Sequence, residues 1–453
     1  MMRVARGRAV GLVGGGLVLA LLVLAMCRLP GEPADHAPGV HGKPTIPQNE
    51  PQDALGWGFT HTQYSADEGA NAAHDRAASA LRRARLPQNQ HLMGWGADNP
   101  EPAPGRYDFD SLDERVDLMR ETAGTPVLTL CCAPDWMKGA KAGATDWSRL
   151  ETAPQPKHYR DFARLARTVA ERYPDIRHFV VWNEFKGFWD EGKKRWDFEG
   201  YTELYNLVYT ELKKVSPKIR VGGPYVVMDS LDPGDAHASR VRGEWGALDQ
   251  RALDAVAYWS EHRKGADFAV VDGSTYTEED RLLPDEFGAA EKLTVVTRWT
   301  RKETGLPVWW AEWYAEVGDA RDRREGWGER HRVAVHATAL MAMVEGGAAG
   351  GFYWNPQLPR GACAGCLWRG TRAADGGGEL PMLRLLARFS REFGPDAEPR
   401  TVPVSGEDAS RVQALRGEKA VLVVNTGEGQ ARVRVDGRGV RLEAYEVRWV
   451  QAG

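Results

Sequence analysis

The chain is expected to fold as an α/β protein, a (β/α)8 TIM barrel with a small C-terminal β-sandwich-like domain. Across residues 54–397, short apolar β-rich runs alternate with helical stretches. The runs are nearly continuous in apolar character, as parallel strands covered on both faces must be. After about residue 398 the pattern changes to short alternating strands divided by turn signals. An open doubly wound sheet competes as a topology, but no Gly-rich phosphate turn follows the first strand.

Eight strands are expected at 56–62, 90–95, 126–132, 178–182, 219–224, 268–272, 308–313 and 350–354. Helical periodicity fills the gaps. Over 159–172, Phe162, Leu165, Ala166 and Val169 share one stripe, and 201–214 and 331–345 behave alike. A closing helix is expected at 380–393. The domain at 398–453 is expected to hold strands at 412–415, 419–424, 431–435 and 440–449, with turns at Gly427, Gly429 and Gly437.

The N-terminus has the layout of an export segment. Arg3, Arg6 and Arg8 precede an uncharged run over 9–26. Residues 1–27 therefore read as a signal peptide or membrane anchor, which places the protein outside the cell or in its envelope. Cleavage, retention as a membrane anchor and lipidation at Cys27 all stay open. Residues 28–53, rich in Pro and polar side chains, read as a disordered linker. In an exported chain, Cys363 and Cys366 are expected to form a local disulfide; no second pair completes a zinc site. Cys131 and Cys132 read most simply as buried strand residues.

The formal net charge of −4 argues against a nucleic-acid partner, which requires a clustered basic face. The 17 Trp and 13 Tyr suit a sugar partner, because a flat ring covers the C–H face of a pyranose. No metal cluster emerges from the 11 scattered histidines, and no cofactor is expected.

Catalytic groups of a barrel enzyme stand at the C-terminal ends of its strands. The fourth strand ends in Trp182-Asn183-Glu184, and the seventh carries Glu312 among three Trp. A glutamate in such an aromatic setting is costly to bury without partners or a purpose. Hydrolysis of a glycosidic bond needs two carboxyl groups in different protonation states. Glu184 and Glu312 are the candidate pair; Glu316, beyond the apolar run, is the rival to Glu312.

These residues resemble those of clan A glycoside hydrolases, and within the clan family 39, the β-xylosidase and α-L-iduronidase group. Arg220-Val-Gly-Gly-Pro224 and the segment from Asn99 to Asp110 add to the likeness, which spans residues 54–450. The resemblance implies a retaining glycosidase, with Glu184 as acid/base and Glu312 as nucleophile. It further implies that Asn183 binds the sugar 2-OH and that Tyr276 orients the nucleophile. Trp354 could floor the sugar site, with Trp136, Trp95, Asp98 and His61 as further contacts on the loop face. By the acid role, Glu184 is expected to hold its proton in a shielded pocket beside the charge of Glu312. The chain departs from the clan at Phe185, where Pro is usual, and at Asp272, where family members often carry His. A surface carbohydrate-binding protein without turnover and a transglycosidase are the alternative readings. Binding without hydrolysis would mark the first, and transfer to an added sugar acceptor the second.

Overall fold

Eight parallel strands close into a barrel in the computed structural model of the chain. They are β1 (Gly56–Thr60), β2 (Gln88–His91), β3 (Pro126–Leu130), β4 (His178–Val181), β5 (Arg220–Val227), β6 (Phe268–Ser274), β7 (Val308–Tyr314) and β8 (Ala348–Trp354). Neighbours follow chain order, and β1 closes the ring against β8, with Gly56 opposite Gly350 and Thr60 opposite Trp354. The structure describes residues 55–318, 326–354, 357–395 and 397–452. The expected export segment at 1–27, with Cys27, and the linker at 28–53 lie outside them. Among the described residues, no helix is long and apolar enough to cross a membrane.

The strands fall where the apolar runs predict, with shifted ends: β1 and β3 stop two residues early, and β5 and β6 run on to Val227 and Ser274. β2 ends at His91 instead of 95, because Gly94 and Gly96 take φ of +84° and +97° and turn the chain. Among the described residues, eight helices cover the barrel: α1 (Asn71–Ala84), α2 (Asp110–Glu121), α3 (Tyr159–Arg172), α4 (Phe198–Val215), α5 (Gln250–His262), α6 (Glu291–Thr304), α7 (Glu329–Gly346) and α8 (Pro381–Glu392). The predicted stripe of α3 is buried at all four positions. α7 is buried on nearly every side, since it also packs against the C-terminal sheets.

Side chains fill the barrel. Phe268 and Trp309 stack inside it with ring centroids 3.8 Å apart, beside Val127, Val180, Val270 and Phe352. Gly222 makes room for them: a Cβ there would lie 2.0 Å from the Phe268 ring.

In the C-terminal region, β9 (Val412–Arg416), β10 (Ala420–Asn425) and β13 (Val447–Gln451) form a sheet with residues 400–401. β11 (Ala431–Val435) and β12 (Arg438–Leu442) form a second sheet with residues 404–405. Val412, Val421, Val423, Val433 and Val435 pack together in their shared core. Leu422 and Val424 of β10 join the main core with Phe389 of α8 and Phe393, so barrel and sheets lie in one compact unit. The strand expected at 440–449 is two strands, parted where Tyr445 turns with φ +52°. Cys363 and Cys366 are disulfide-bonded. Cys131 and Cys132 are buried, but the ladder stops at Leu130, and the two are bonded to each other just past β3 instead of lying in it.

Candidate active site

Two irregularities in the barrel build the site. Val271 of β6 faces Trp310 of β7, yet the next residue, Asp272, faces Glu312. Ala311 is thus an extra residue, and both Ala311 and Glu312 turn inward. Likewise Val270 faces Pro224 and Val271 faces Val226, so Tyr225 is an extra residue in β5, held at φ +59°. Asp272 needs no such device, because it follows Phe268 and Val270 on the inward face of β6.

Past β4 the chain bends sharply. Trp182, Glu184 and Phe185 have φ of +68°, +49° and +51°. Such left-handed non-glycine conformations cost about 1–2 kcal/mol each and persist where surrounding packing enforces them. Here the buried Phe185 ring lies 4.1 Å from that of Tyr201, centroid to centroid. A proline ring, with φ held near about −65°, could not take this conformation. The replacement of the clan's Pro is therefore coupled to the backbone that aims Glu184.

Oxygens of Glu184, Asp272 and Glu312 meet within 4.8 Å of one another. Glu312 and Asp272 are only 2% and 1% exposed. The Tyr225 hydroxyl donates to Glu312 Oε1 at 2.8 Å, and the Tyr314 hydroxyl to Oε2 at 2.5 Å. Lys186 Nζ lies 3.0 Å from Glu184 Oε2 and 2.6 Å from Glu151 Oε1. Asp272 receives no N–H or hydroxyl donor among the described residues; its partner is the Glu184 carboxyl, with which it can only share a proton.

The electrostatics follow from burial. Burial, and then the Glu184 charge, push the Glu312 carboxyl up to about 8, against the pull of Lys186 and the two hydroxyls. Burial, then Glu184 and Glu312, push Asp272 well above the carboxylate range, with Lys186 opposing. Burial tends to discharge Lys186, but Glu184 and Glu151 hold its ammonium well above the ordinary lysine value. Burial, followed by the Lys186 charge, drives His91 down to about 3, so the ring is neutral, with Nε2 3.8 Å from Glu312 Oε1. The three carboxyls are close enough to share a cation, but the Lys186 ammonium already beside them repels one.

Asn183 is 1% exposed, and its amide has the neutral His91 ring as its hydrogen-bonding neighbour. A side-chain amide has more donor and acceptor capacity than one ring nitrogen fills, which leaves capacity for a ligand. Tyr276, Tyr314 and Trp354 pack together with Trp95 beside them. The Trp95 ring in turn lies tilted beside His91, with centroids 4.2 Å apart, and 5.6 Å from Lys186 Nζ. Tyr276, expected to orient Glu312, stands in this aromatic wall, while the hydroxyls on Glu312 come from Tyr225 and Tyr314.

Three expected sugar contacts have no hydrogen bond, ion pair or ring contact with the carboxyl cluster. His61 is fully buried, with Nδ1 2.6 Å from Ser65 Oγ and Nε2 2.9 Å from Gln88 Oε1. Asp98 is exposed on the loop after β2, where its backbone N–H donates to Ser111. Trp136 donates to the Glu101 carbonyl at 2.8 Å and packs edge-on against His158. Glu316, the rival to Glu312, is gripped by Arg332 at 2.5 and 2.9 Å. The sequence reading passed over Lys186, His91, Tyr225 and Tyr314. Only Lys186 and Tyr314 leave a trace in sequence, each two residues past a candidate glutamate.

The sequence model of glycosyl hydrolases family 39 matches residues 98–325, just over half of the 453-residue chain, and includes both glutamates. A β-xylosidase of Caldicellulosiruptor saccharolyticus is 29% identical over 137 residues, 28% of this chain. That match spans only 27% of the relative's own length. A monomeric β-xylosidase from Caulobacter crescentus CB15 superposes with TM-score 0.51 at 17% identity, over 84% of this chain and 75% of the other. A family 39 glycoside hydrolase from the gut symbiont Bacteroides cellulosilyticus WH2 does so with TM-score 0.50 at 15% identity, over 90% and 81%. At these identities the two structures establish the shared fold. With that fold, and with the family pattern running through both strand-end glutamates, the chain belongs to glycosyl hydrolase family 39.

Proposed function

We propose that the protein is a retaining glycoside hydrolase that cleaves an oligo- or polysaccharide by double displacement. The observation that carries this reading is the approach of the Glu184 and Glu312 oxygens to within 4.8 Å at the barrel mouth. Retaining enzymes hold their two carboxyls about 5–5.5 Å apart, whereas inverting ones need about 6.5–9.5 Å to admit a water. Glu312 attacks the anomeric carbon while Glu184 protonates the departing oxygen, leaving a glycosyl ester on Glu312. Water, deprotonated by Glu184, then attacks the same carbon and releases Glu312 as a carboxylate. The Tyr225 and Tyr314 hydroxyls stabilise that carboxylate, and the buried amide of Asn183, beside His91, suits a sugar hydroxyl. Tyr276, Trp354 and Trp95 offer aromatic surface to a pyranose. A xylosidase-like preference is favoured by the β-xylosidase relative. An envelope or extracellular glycan is favoured by the N-terminal basic and uncharged run.

The test uses aryl β-xylosides and related aryl glycosides with the full chain, Glu184→Gln and Glu312→Gln. A 2-deoxy-2-fluoro aryl glycoside should leave a sugar ester on Glu312, read by peptide mass spectrometry. Unchanged turnover in both variants, or a label on another residue, would remove the proposed pair.

A further inference from the structure

A difficulty in the acid step leads further. A general acid must hold a proton, yet Lys186 Nζ stands 3.0 Å from Glu184 and favours its ionised form. Asp272, 1% exposed, faces that same carboxyl with both oxygens lacking any N–H or hydroxyl donor among the described residues. Glu312 is placed differently, since a tyrosine hydroxyl donates to each of its oxygens and favours its charge. We propose that the acid is the Glu184–Asp272 pair holding one proton between them, with Asp272 as the positioning residue that keeps this proton at Glu184 against Lys186. The proposal rests on the acid/base reading of Glu184.

The steps balance. The reacting form has Glu312 as a carboxylate, which burial disfavours and Lys186 and the two tyrosine hydroxyls favour, and one proton on the pair, so the three carboxyls hold two negative charges. In glycosylation the bond from the anomeric carbon to the leaving oxygen breaks and a bond to Glu312 forms, while the pair's proton passes to the leaving oxygen. The ester on Glu312 is neutral and the pair is fully ionised, so the cluster again holds two negative charges beside Lys186. Water reverses this, returning a proton to the pair as Glu312 regains its charge. Ionising the pair is thereby timed to the neutralisation of Glu312, which lowers the electrostatic cost of giving up the proton.

The groups acting on Asp272 are Glu184 and Lys186 from the loop after β4 and Glu312 from β7. The phenols of Tyr225 and Tyr314, pushed well up by burial, stay neutral. Lys292 of α6, pushed down to about 8 by burial, is countered by Asp229 ahead of Asp272.

The test compares Asp272→Asn, Lys186→Met and Glu184→Gln in the full chain on aryl glycosides with poor and with activated leaving groups. Asp272→Asn should lower kcat/KM by about 10²-fold for the poor leaving group and less than about threefold for the activated one. Its basic pH limb should move down by about one unit, while Lys186→Met moves that limb up. Equal losses on both substrates, an unmoved limb, or the same direction of shift in both variants would overturn the proposal. If Asp272→Asn does not fold, Lys186→Met decides alone, an unmoved or lowered limb counting against the pair. Full activity of Glu184→Gln on the poor leaving group would instead sink the acid/base reading itself. Infrared difference spectra at neutral pH, wild type minus Asp272→Asn, need no substrate: a protonated-carboxyl band supports the pair and its absence overturns it.

Discussion

Replacing Tyr225 by Phe removes one hydroxyl, 2.8 Å from Glu312 Oε1, and leaves the ring in the barrel core. A hydrogen bond to a buried charge contributes about 1.5–3 kcal/mol. At about 1.36 kcal/mol per pKa unit, its loss raises the Glu312 carboxyl by roughly one to two units, because the donor favours the charged form. In the proposed mechanism Glu312 must be ionised to attack, so the acid limb of kcat/KM should move up by the same one to two units. The two half-reactions should also separate. The hydroxyl bonds a carboxylate more strongly than an ester, so its loss hampers the step in which Glu312 departs as an anion. With an activated aryl glycoside, deglycosylation slows more than glycosylation and the pre-steady-state burst grows. Tyr314→Phe should act alike through Oε2, where the contact is 2.5 Å. The double variant should fall short of the sum, since both donors serve one carboxylate. Stopped-flow release of the aryl alcohol across pH measures both effects. An acid limb unmoved in both single variants would refute the claim that these hydroxyls hold the nucleophile's charge.

Glu316→Ala should cost about 3–5 kcal/mol of stability by stranding the buried Arg332 charge, while turnover per folded molecule persists. Glu312→Gln should do the reverse, and thermal melts run beside aryl-glycoside assays would expose the opposite pattern. Phe185→Pro removes a fully buried ring, worth about 3–5 kcal/mol when truncated, at a φ of +51° that Pro cannot adopt. It should displace Glu184 and lower kcat by about 10²-fold in whatever folds, so wild-type kcat in a folded variant would contradict the backbone reasoning. His61 and His91 are both depressed by burial from 6.5 to about 3, so between those values the unfolded chain binds more protons. Their contribution is complete above about pH 6.5 and is lost as pH falls towards about 3, at about 1.4 kcal/mol per pH unit for each ring. His61→Gln should flatten the acid-side slope of unfolding free energy by one ring's share; an unchanged slope in denaturant titrations would show that the ring is protonated in the fold.

The barrel could be read from sequence because its strands are buried on both faces and announce themselves as unbroken apolar runs. Glu184 and Glu312 could be read because each stands at the end of such a run, where a carboxylate is out of place. His61 misled for the opposite reason: the partners that saturate it, Ser65 and Gln88, are ordinary residues whose proximity only the fold creates. The tyrosines on Glu312 were hidden by a subtler cause. Strict alternation from Trp309 turns Ala311 inward and would send Glu312 outward among the helices, with Trp310. One extra residue in β7 reverses that, and one extra residue in β5 brings Tyr225 inward to meet it. Both skips lie opposite β6, where Asp272 arrives by plain alternation. Register is a property of paired strands, so a skip leaves no mark in either strand's own sequence. Glu312 and the Tyr225 hydroxyl meet only because two neighbouring ladders slip at the same height. Restoring regular pairing in β5 would take the Tyr225 hydroxyl from Glu312, and restoring it in β7 would carry the carboxylate away from Glu184 altogether.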